Sequence, residues 1–330
     1  MGLIQPRIHP LQPTPDVSGQ TTIVTGASSG IGLEIARQLL VFGISRLVLA
    51  VRNPEKGEVV KKSLLSDEAV RAVNPNALVE VMQLDIEKYE SVAEFATAFT
   101  SRFDALHLLM LNAASLDFER KIAKSGHEKT IQVIYLSNVL LNLKLLPILE
   151  ATADKTGKPS QVTWTGSRSY RKTSLESELP LKATESVLKH FDEEDTLPLF
   201  TRYADSKLLC FLFTRELALR YDSKKVIVNS FCPNTVKTGM ASAMPFYVRI
   251  PAAIMMSVKG RPVEEAGRVA LHAALNAGSD THGKLLENLS AVPPSEFVES
   301  AEGQRIQRLL WSETKEELKK WTSPPAWMLK

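Results

Sequence analysis

The sequence predicts an α/β protein: a single doubly wound domain, its parallel sheet of about seven strands covered by helices on both faces. Three observations predict it. From Thr21 onward, short β-branched apolar runs alternate with amphipathic helical stretches, the order that builds a parallel sheet with right-handed crossovers. A glycine cluster, Gly26 to Gly32, lies between the first such run and the first helical stretch. Nothing between Thr21 and Val292 reads as a linker, so most of the 330 residues belong to one domain.

The elements follow in order. Thr22-Ile23-Val24-Thr25 is a buried strand, and Ile31, Ile35, Leu39 and Phe42 then recur at helical spacing until Gly43 stops the helix. Strands are expected at 47–51 and 78–86, an amphipathic helix at 91–103, a strand at 106–111, and a long helix at 130–149 with Pro147 near its end. A strand at 162–165, a helix at 204–220 and a strand at 226–231 complete the alternation. Residues 1–20 carry Pro6, Pro10, Pro13 and Pro15 and read as an extended arm. The domain proper is expected at 21–295 and a helical tail at 296–330, with Trp311, Trp321, Trp327 and a Pro324-Pro325 end. Two stretches break the rhythm: 169–200, charged and aperiodic, and 239–260, apolar and irregular. Both read as loops over a site.

Composition excludes several function classes. With 44% hydrophobic and 23% charged residues the chain is not of the disordered type. Forty basic against 37 acidic residues leave a charge of +3 without a concentrated basic stripe, which argues against nucleic acid as partner. Lys61-Lys62 and Lys319-Lys320 read as solvated helix faces. Two cysteines, Cys210 and Cys232, make no disulfide scaffold, and Cys232 reads as a small buried hydrophobe. The apolar stretches 136–149 and 244–258 are shorter than the roughly 20 residues of a spanning helix. No secretory signal is read at the start. A cytoplasmic protein is expected, with membrane-surface association and a homo-oligomer left open. No metal site is expected: His127 and His190 lack ligand spacing and read as surface residues.

The chemistry concentrates in a few motifs. Thr25-Gly26-Ala27-Ser28-Ser29-Gly30-Ile31-Gly32 has the spacing G-x-x-x-G-x-G, a variant of the dinucleotide fingerprint of Rossmann-type folds. Glycines there permit a tight turn and a close approach to pyrophosphate, and the helix N-terminus offers free N–H groups. After the second strand, Ala50-Val51-Arg52-Asn53 lacks the acid that would accept from ribose hydroxyls. Arg52 instead matches a 2′-phosphate, so NADP(H) is expected rather than NAD. Tyr203-Ala204-Asp205-Ser206-Lys207 places Tyr203 and Lys207 on one helix face. A phenol is a poor acid near neutrality, and an adjacent ammonium stabilises its phenolate. Asp205 and Ser206 inside the motif read as polar residues of a helix start.

These motifs, in this order from about Thr21 to Leu286, resemble the short-chain dehydrogenase/reductase family. The detail is most similar to its retinol-dehydrogenase-like branch and to fungal members of secondary-metabolite pathways. The resemblance implies a catalytic group of Ser167, Tyr203 and Lys207, with Ser169 and Thr165 as rivals for the serine. It implies cofactor contacts from Gly26, Ser28, Ser29, Gly30, Ile31 and Gly32, with Tyr203 and Lys207 at the nicotinamide ribose. Asp85 would meet the adenine end, and Asn112, in Asn112-Ala113-Ala114, would sit under the ribose and brace the central strands. Phe231-Cys232-Pro233-Asn234-Thr235-Val236-Lys237-Thr238 is similar to the family's nicotinamide loop, with Val236 and Thr238 as contacts. Asn234 replaces a glycine there, and Asn tolerates positive φ.

One departure stands out. In Val133-Ile134-Tyr135-Leu136-Ser137, Ile134 occupies the family's asparagine position, whose residue distorts the helix so that a carbonyl can hold a water on the catalytic lysine. Asn138, one turn later, is a candidate to compensate. The implied function is an NADPH-dependent ketone or aldehyde reductase, or the reverse alcohol dehydrogenase. A redox-neutral isomerase or cyclase, or a non-catalytic dinucleotide-binding protein, are the alternatives. Met240, Met244, Phe246, Tyr247, Ile254, Met255 and Met256 in the expected lid at 239–260 suggest a bulky apolar small-molecule substrate.

Overall fold

The computed structural model describes residues 5–115, 117, 119–193, 196–237 and 259–322. Its strands are β1 (Thr21–Thr25), β2 (Arg46–Val51), β3 (Leu78–Gln83), β4 (Leu108–Leu111), β5 (Ser160–Thr165), β6 (Val226–Cys232), β7 (Leu285–Glu287) and β8 (Ser290–Val292). They form one sheet in the order β3-β2-β1-β4-β5-β6-β7-β8. The first seven are parallel and β8 pairs antiparallel with β7. The main helices are α1 (Gly30–Val41), α2 (Pro54–Ser66), α3 (Glu68–Val73), α4 (Tyr89–Arg102), α5 (Lys129–Thr156), α6 (Val187–Glu193), α7 (Leu199–Arg220), α8 (Val263–Leu271), α9 (Glu296–Glu299) and α10 (Ala301–Leu318).

A parallel sheet covered on both faces needs strands that are apolar throughout. In β4, Leu-Leu-Met-Leu, all four residues are buried. Alternate residues point to opposite faces, so Ile23 joins one core and Val24 the other. The Ile23 core is closed by α4, α5, α7 and α10 through residues such as Phe99, Leu140, Phe213 and Leu310. The Val24 core is closed by α1 and α8 through Ile35, Leu39 and Val269. The chain winds outward from β1 toward β3 on one side and from β4 toward β7 on the other. The crevice at the carboxyl ends of β1 and β4 is therefore the topological switch point, where such sheets bind ligands.

The structure adds to and corrects the expected elements. The sheet has eight strands, because β7 and β8 form a short hairpin that the sequence does not announce. Its two turn residues, Asn288 and Leu289, adopt φ of 48° and 74°, a geometry that glycine ordinarily signals. Helix α2 is likewise absent from the expected elements, although Asn53 caps it by accepting from the Lys56 N–H at 3.0 Å, with Pro54 in its first turn. Helix α7 starts at Leu199, so Tyr203 lies inside the helix rather than at its start. The apolar run 136–149 belongs to the 28-residue α5, which is long and apolar enough to cross a membrane; 83% of its most apolar window is buried in this protein, which makes it a core helix.

The described part of the N-terminal segment, residues 5–20, forms no helix or strand and packs against the domain. Ile8, Leu11 and Val17 are buried, and Arg268 donates to the Ile8 carbonyl at 2.7 Å. At the other end, α10 carries Trp311 into the core against Phe213, ring centroids 5.3 Å apart. Trp327, Pro324 and Pro325 lie outside the described residues.

Candidate active site

The glycine turn is built as its spacing requires. Gly26 has φ of +66° and Gly30 of +57°, backbone that side chains resist. A Cβ on Gly32 would meet the Gly26 carbonyl oxygen at 2.4 Å and Asn112 Nδ2 at 2.6 Å, so α1 reaches the β1 turn only as glycine. Ser29 stands at the N-cap of α1 without capping it, and the first turn holds no acid. That leaves N–H groups and a positive dipole end at the switch point, with Ser28 and Ile31 half-buried beside them. The residues present thus fit a dinucleotide pyrophosphate. Asn112 braces the strands around it: its Nδ2 donates to the Thr25 carbonyl at 3.0 Å, and its Oδ1 accepts from Thr165 Oγ1 at 3.3 Å.

Beyond β2 and β3 the edge of the crevice is charged. Arg52 is largely exposed and pairs with Glu87 at 3.2 Å. Asp85 pairs with Lys88 at 3.0 Å, and its Oδ1 accepts from the Glu87 N–H.

Ser167 lies two residues beyond the end of β5, and α7 carries Tyr203 and Lys207 past it. Lys207, 5% exposed, donates to the Thr165 carbonyl at 2.7 Å, and its ammonium lies 5.6 Å from the centre of the Tyr203 ring. Ser167 and Lys207 share the wall of a cavity of about 10 Å³ with Trp164 and Cys210, room for one water at most. Ser169, the rival serine, donates its hydroxyl to Ser167 Oγ at 2.8 Å. Thr165 uses its carbonyl on Lys207 and its hydroxyl on Asn112.

The helix distortion survives Ile134. Residues Gln132–Leu136 form a π turn inside α5, and such turns gather at functional sites. The Ile134 side chain is buried in the core. Asn138 Nδ2 donates to the carbonyls of Val133 at 2.9 Å and Ile134 at 3.1 Å, and Cys210 Sγ also donates to Ile134 at 3.2 Å. The side chain one turn later therefore holds the bulge that an asparagine at position 134 was expected to make.

In the loop after β6, Asn234 takes φ of +58°, so the glycine-like turn is kept. Val236 is buried and bridges to Arg261. Thr238 and the expected lid from 239 to 258 lie outside the described residues. Cys232 is buried and accepts the Arg168 N–H at 3.2 Å, while burial pushes the Cys210 thiol up to about 11. Neither is a ready thiolate.

Three polar residues read as surface or helix-start groups prove to be structural. Asp205 is fully buried and accepts from Thr173 Oγ1 at 2.7 Å and from the Ser174 N–H and hydroxyl, both at 2.8 Å. It ties the segment after Ser167 to the helix of Tyr203 and Lys207. The signal for it was an acid between the two motif residues, on the helix face opposite to theirs. His127 is buried between Asp192 at 2.7 Å and Glu317 at 3.2 Å, and His190 pairs with Glu185 at 2.9 Å. The His127 partners lie 65 or more residues away and leave no local trace in the sequence, whereas Glu185 stands only five residues before His190. Among the described residues no group of three or more His, Cys, Asp or Glu is placed to hold a metal ion.

The model of short chain dehydrogenases matches residues 20–161. The chain is 46% identical over 323 residues to the short chain dehydrogenase yanD of Aspergillus niger, covering 97% of each chain. It is 44% identical over 321 residues to the short-chain dehydrogenase/reductase tropG of Talaromyces stipitatus, again 97% of each. Among solved structures, the RhlG/NADP active-site complex of Pseudomonas aeruginosa matches with a TM-score of 0.63 at 21% identity, over 84% of this chain and 97% of that one. At that identity the match speaks for the fold.

Proposed function

This chain belongs to the short-chain dehydrogenase/reductase family, and on that premise we propose that it is an NADPH-dependent reductase of ketones or aldehydes. The proposed substrates are bulky apolar small molecules of secondary metabolism, and the reverse alcohol oxidation uses the same groups. The observation that carries the reading is the junction of α7 with β5: the buried Lys207 is anchored on the Thr165 carbonyl, beside the Tyr203 ring and two residues from Ser167.

The division of labour follows from these positions. When bound, the nicotinamide supplies a hydride to the carbonyl carbon. Ser167 donates a hydrogen bond to the carbonyl oxygen and holds it in place. Tyr203 gives that oxygen its proton as negative charge develops there. Lys207 stabilises the phenolate left behind, because a nearby cation favours the charged form of an acid. Gly26, Ser28, Ser29, Gly30, Ile31 and Gly32 cradle the pyrophosphate, Arg52 takes the 2′-phosphate, Asp85 borders the adenine and Asn112 supports the ribose. Val236 and Thr238 meet the nicotinamide. The bulk of the substrate is inferred from the methionine and aromatic content of 239–260.

The test is to incubate the protein with NADPH deuterated at nicotinamide C4 and a panel of bulky aromatic ketones. The reading expects alcohol products carrying deuterium at the carbinol carbon. Conversion of substrate without oxidation of NADPH would instead establish a redox-neutral enzyme.

A further inference from the structure

We propose that Glu87 sets how strongly this protein discriminates NADPH from NADH, by acting as the counter-ion that the 2′-phosphate must displace from Arg52. The proposal rests on the reading of Arg52 given above. β2 and β3 are parallel neighbours in register from Arg46↔Leu78 to Val51↔Gln83. Arg52 and the segment 84–88 therefore leave the sheet side by side, at the carboxyl edge that also bears the glycine turn. The Arg52 guanidinium reaches across to Glu87 Oε1 at 3.2 Å. The two partners differ in what else holds them. Arg52 is 71% exposed, whereas Glu87 is 29% exposed and has a second cation, Lys129, at 2.9 Å. Lys129 itself is 18% exposed and fixed on its other side by Asp117 at 3.0 Å.

This asymmetry makes Arg52 the exchangeable member. An incoming phosphate matches a guanidinium better than a single carboxylate oxygen does, because two N–H groups can bind it at once. When Arg52 moves to the phosphate, Glu87 keeps Lys129 and is not left unpaired. Glu87 nevertheless opposes NADPH twice, by competing for Arg52 and by placing a negative charge near the phosphate. NADH carries no 2′-phosphate and meets neither cost.

The experiment is a direct titration of the full chain with NADPH and with NADH, followed by nicotinamide fluorescence, for wild type, Glu87→Gln, Arg52→Ala and the double variant. Removing the competing charge is expected to tighten NADPH binding about fivefold, with NADH changed less than about twofold. The gain should shrink at high salt, and Glu87→Gln should gain much less in the Arg52→Ala background. Unchanged NADPH affinity in Glu87→Gln, or equal changes for both nucleotides, would overturn the role of Glu87 while leaving Arg52 in place. Weaker NADH binding in Glu87→Gln would make Glu87 a ribose acceptor and overturn the proposal. A wild type that binds NADH as tightly as NADPH would overturn the Arg52 reading itself.

Discussion

The side-chain amide of Asn138 donates to the carbonyl oxygen of Ile134 at 3.1 Å, across the π turn of the central helix. The same amide holds the Val133 carbonyl. A π turn takes carbonyls out of the regular i→i−4 ladder, and buried carbonyls need donors. Asn138→Leu removes the amide donor from the Val133 carbonyl and leaves the Ile134 carbonyl only the weak Cys210 thiol, a cost of about 1–3 kcal/mol. Calorimetry should show a melting temperature lower by several degrees. An unchanged melting temperature would mean that the bulge is held by packing alone.

Asp205 predicts a slope in stability with pH. Burial pushes its carboxyl up to about 6 from an ordinary 3.8, against the opposing hydrogen bonds from Thr173 and Ser174. The folded protein then binds this proton more tightly than the unfolded chain. The stability it contributes in acid is lost as pH rises from about 4 to about 6. Asp205→Asn has no such proton to lose. Urea unfolding of both proteins at about pH 4.5 and pH 7 should show the variant gaining on wild type at the higher pH. A difference independent of pH would contradict this. Asp205→Ala, which strands three buried donors, should be destabilised at both pH values, by about 3 kcal/mol or more.

His127 predicts a slope on the alkaline side. Burial pulls its pKa down, but the hydrogen bonds and charges of Asp192 and Glu317 outweigh that and raise it to about 9. A raised histidine contributes stability that is fully present below its unfolded pKa of about 6.5 and is lost as pH rises through about 9. The melting temperature of wild type should therefore fall over that window, and that of His127→Gln should fall less. Parallel curves for the two proteins would remove the ion-pair account of how α10 is fastened.

Gly32→Ala tests the cradle. Its methyl would overlap the Gly26 carbonyl oxygen, which forces α1 away from the turn. NADPH affinity should drop by at least about tenfold, the loss expected when backbone donors at a helix N-terminus are misplaced by even a fraction of an ångström. Retained affinity, measured by the same fluorescence titration, would show that the turn contributes little to cofactor binding.

The periodic elements were legible because burial on both faces imposes apolar runs on β1 and β4, and burial of one face sets the helical spacing of α1. What was illegible depended on contacts across the fold. The β7–β8 hairpin turns on Asn288 and Leu289, where no glycine marks the positive φ. Asp205 looked like a helix-start acid because its donors, Thr173 and Ser174, lie about thirty residues earlier. Ile134 departs from the family pattern and the sequence offers Asn138 as a candidate to compensate, but the π turn that places its amide on two carbonyls leaves no mark in the spacing. The glycine turn and the Tyr203–Lys207 pair were legible because their geometry is local, set by the spacing within one turn and one helix.

The central claim is that Tyr203 supplies the proton in a reduction driven by NADPH. The most direct measurement compares wild type and Tyr203→Phe for NADPH binding and, at saturating NADPH, for the rate of ketone reduction. The account predicts similar NADPH affinity and a rate lower by about 10²–10⁴-fold, the contribution of a positioned general acid. A Tyr203→Phe variant that reduces the ketone as fast as wild type would contradict it.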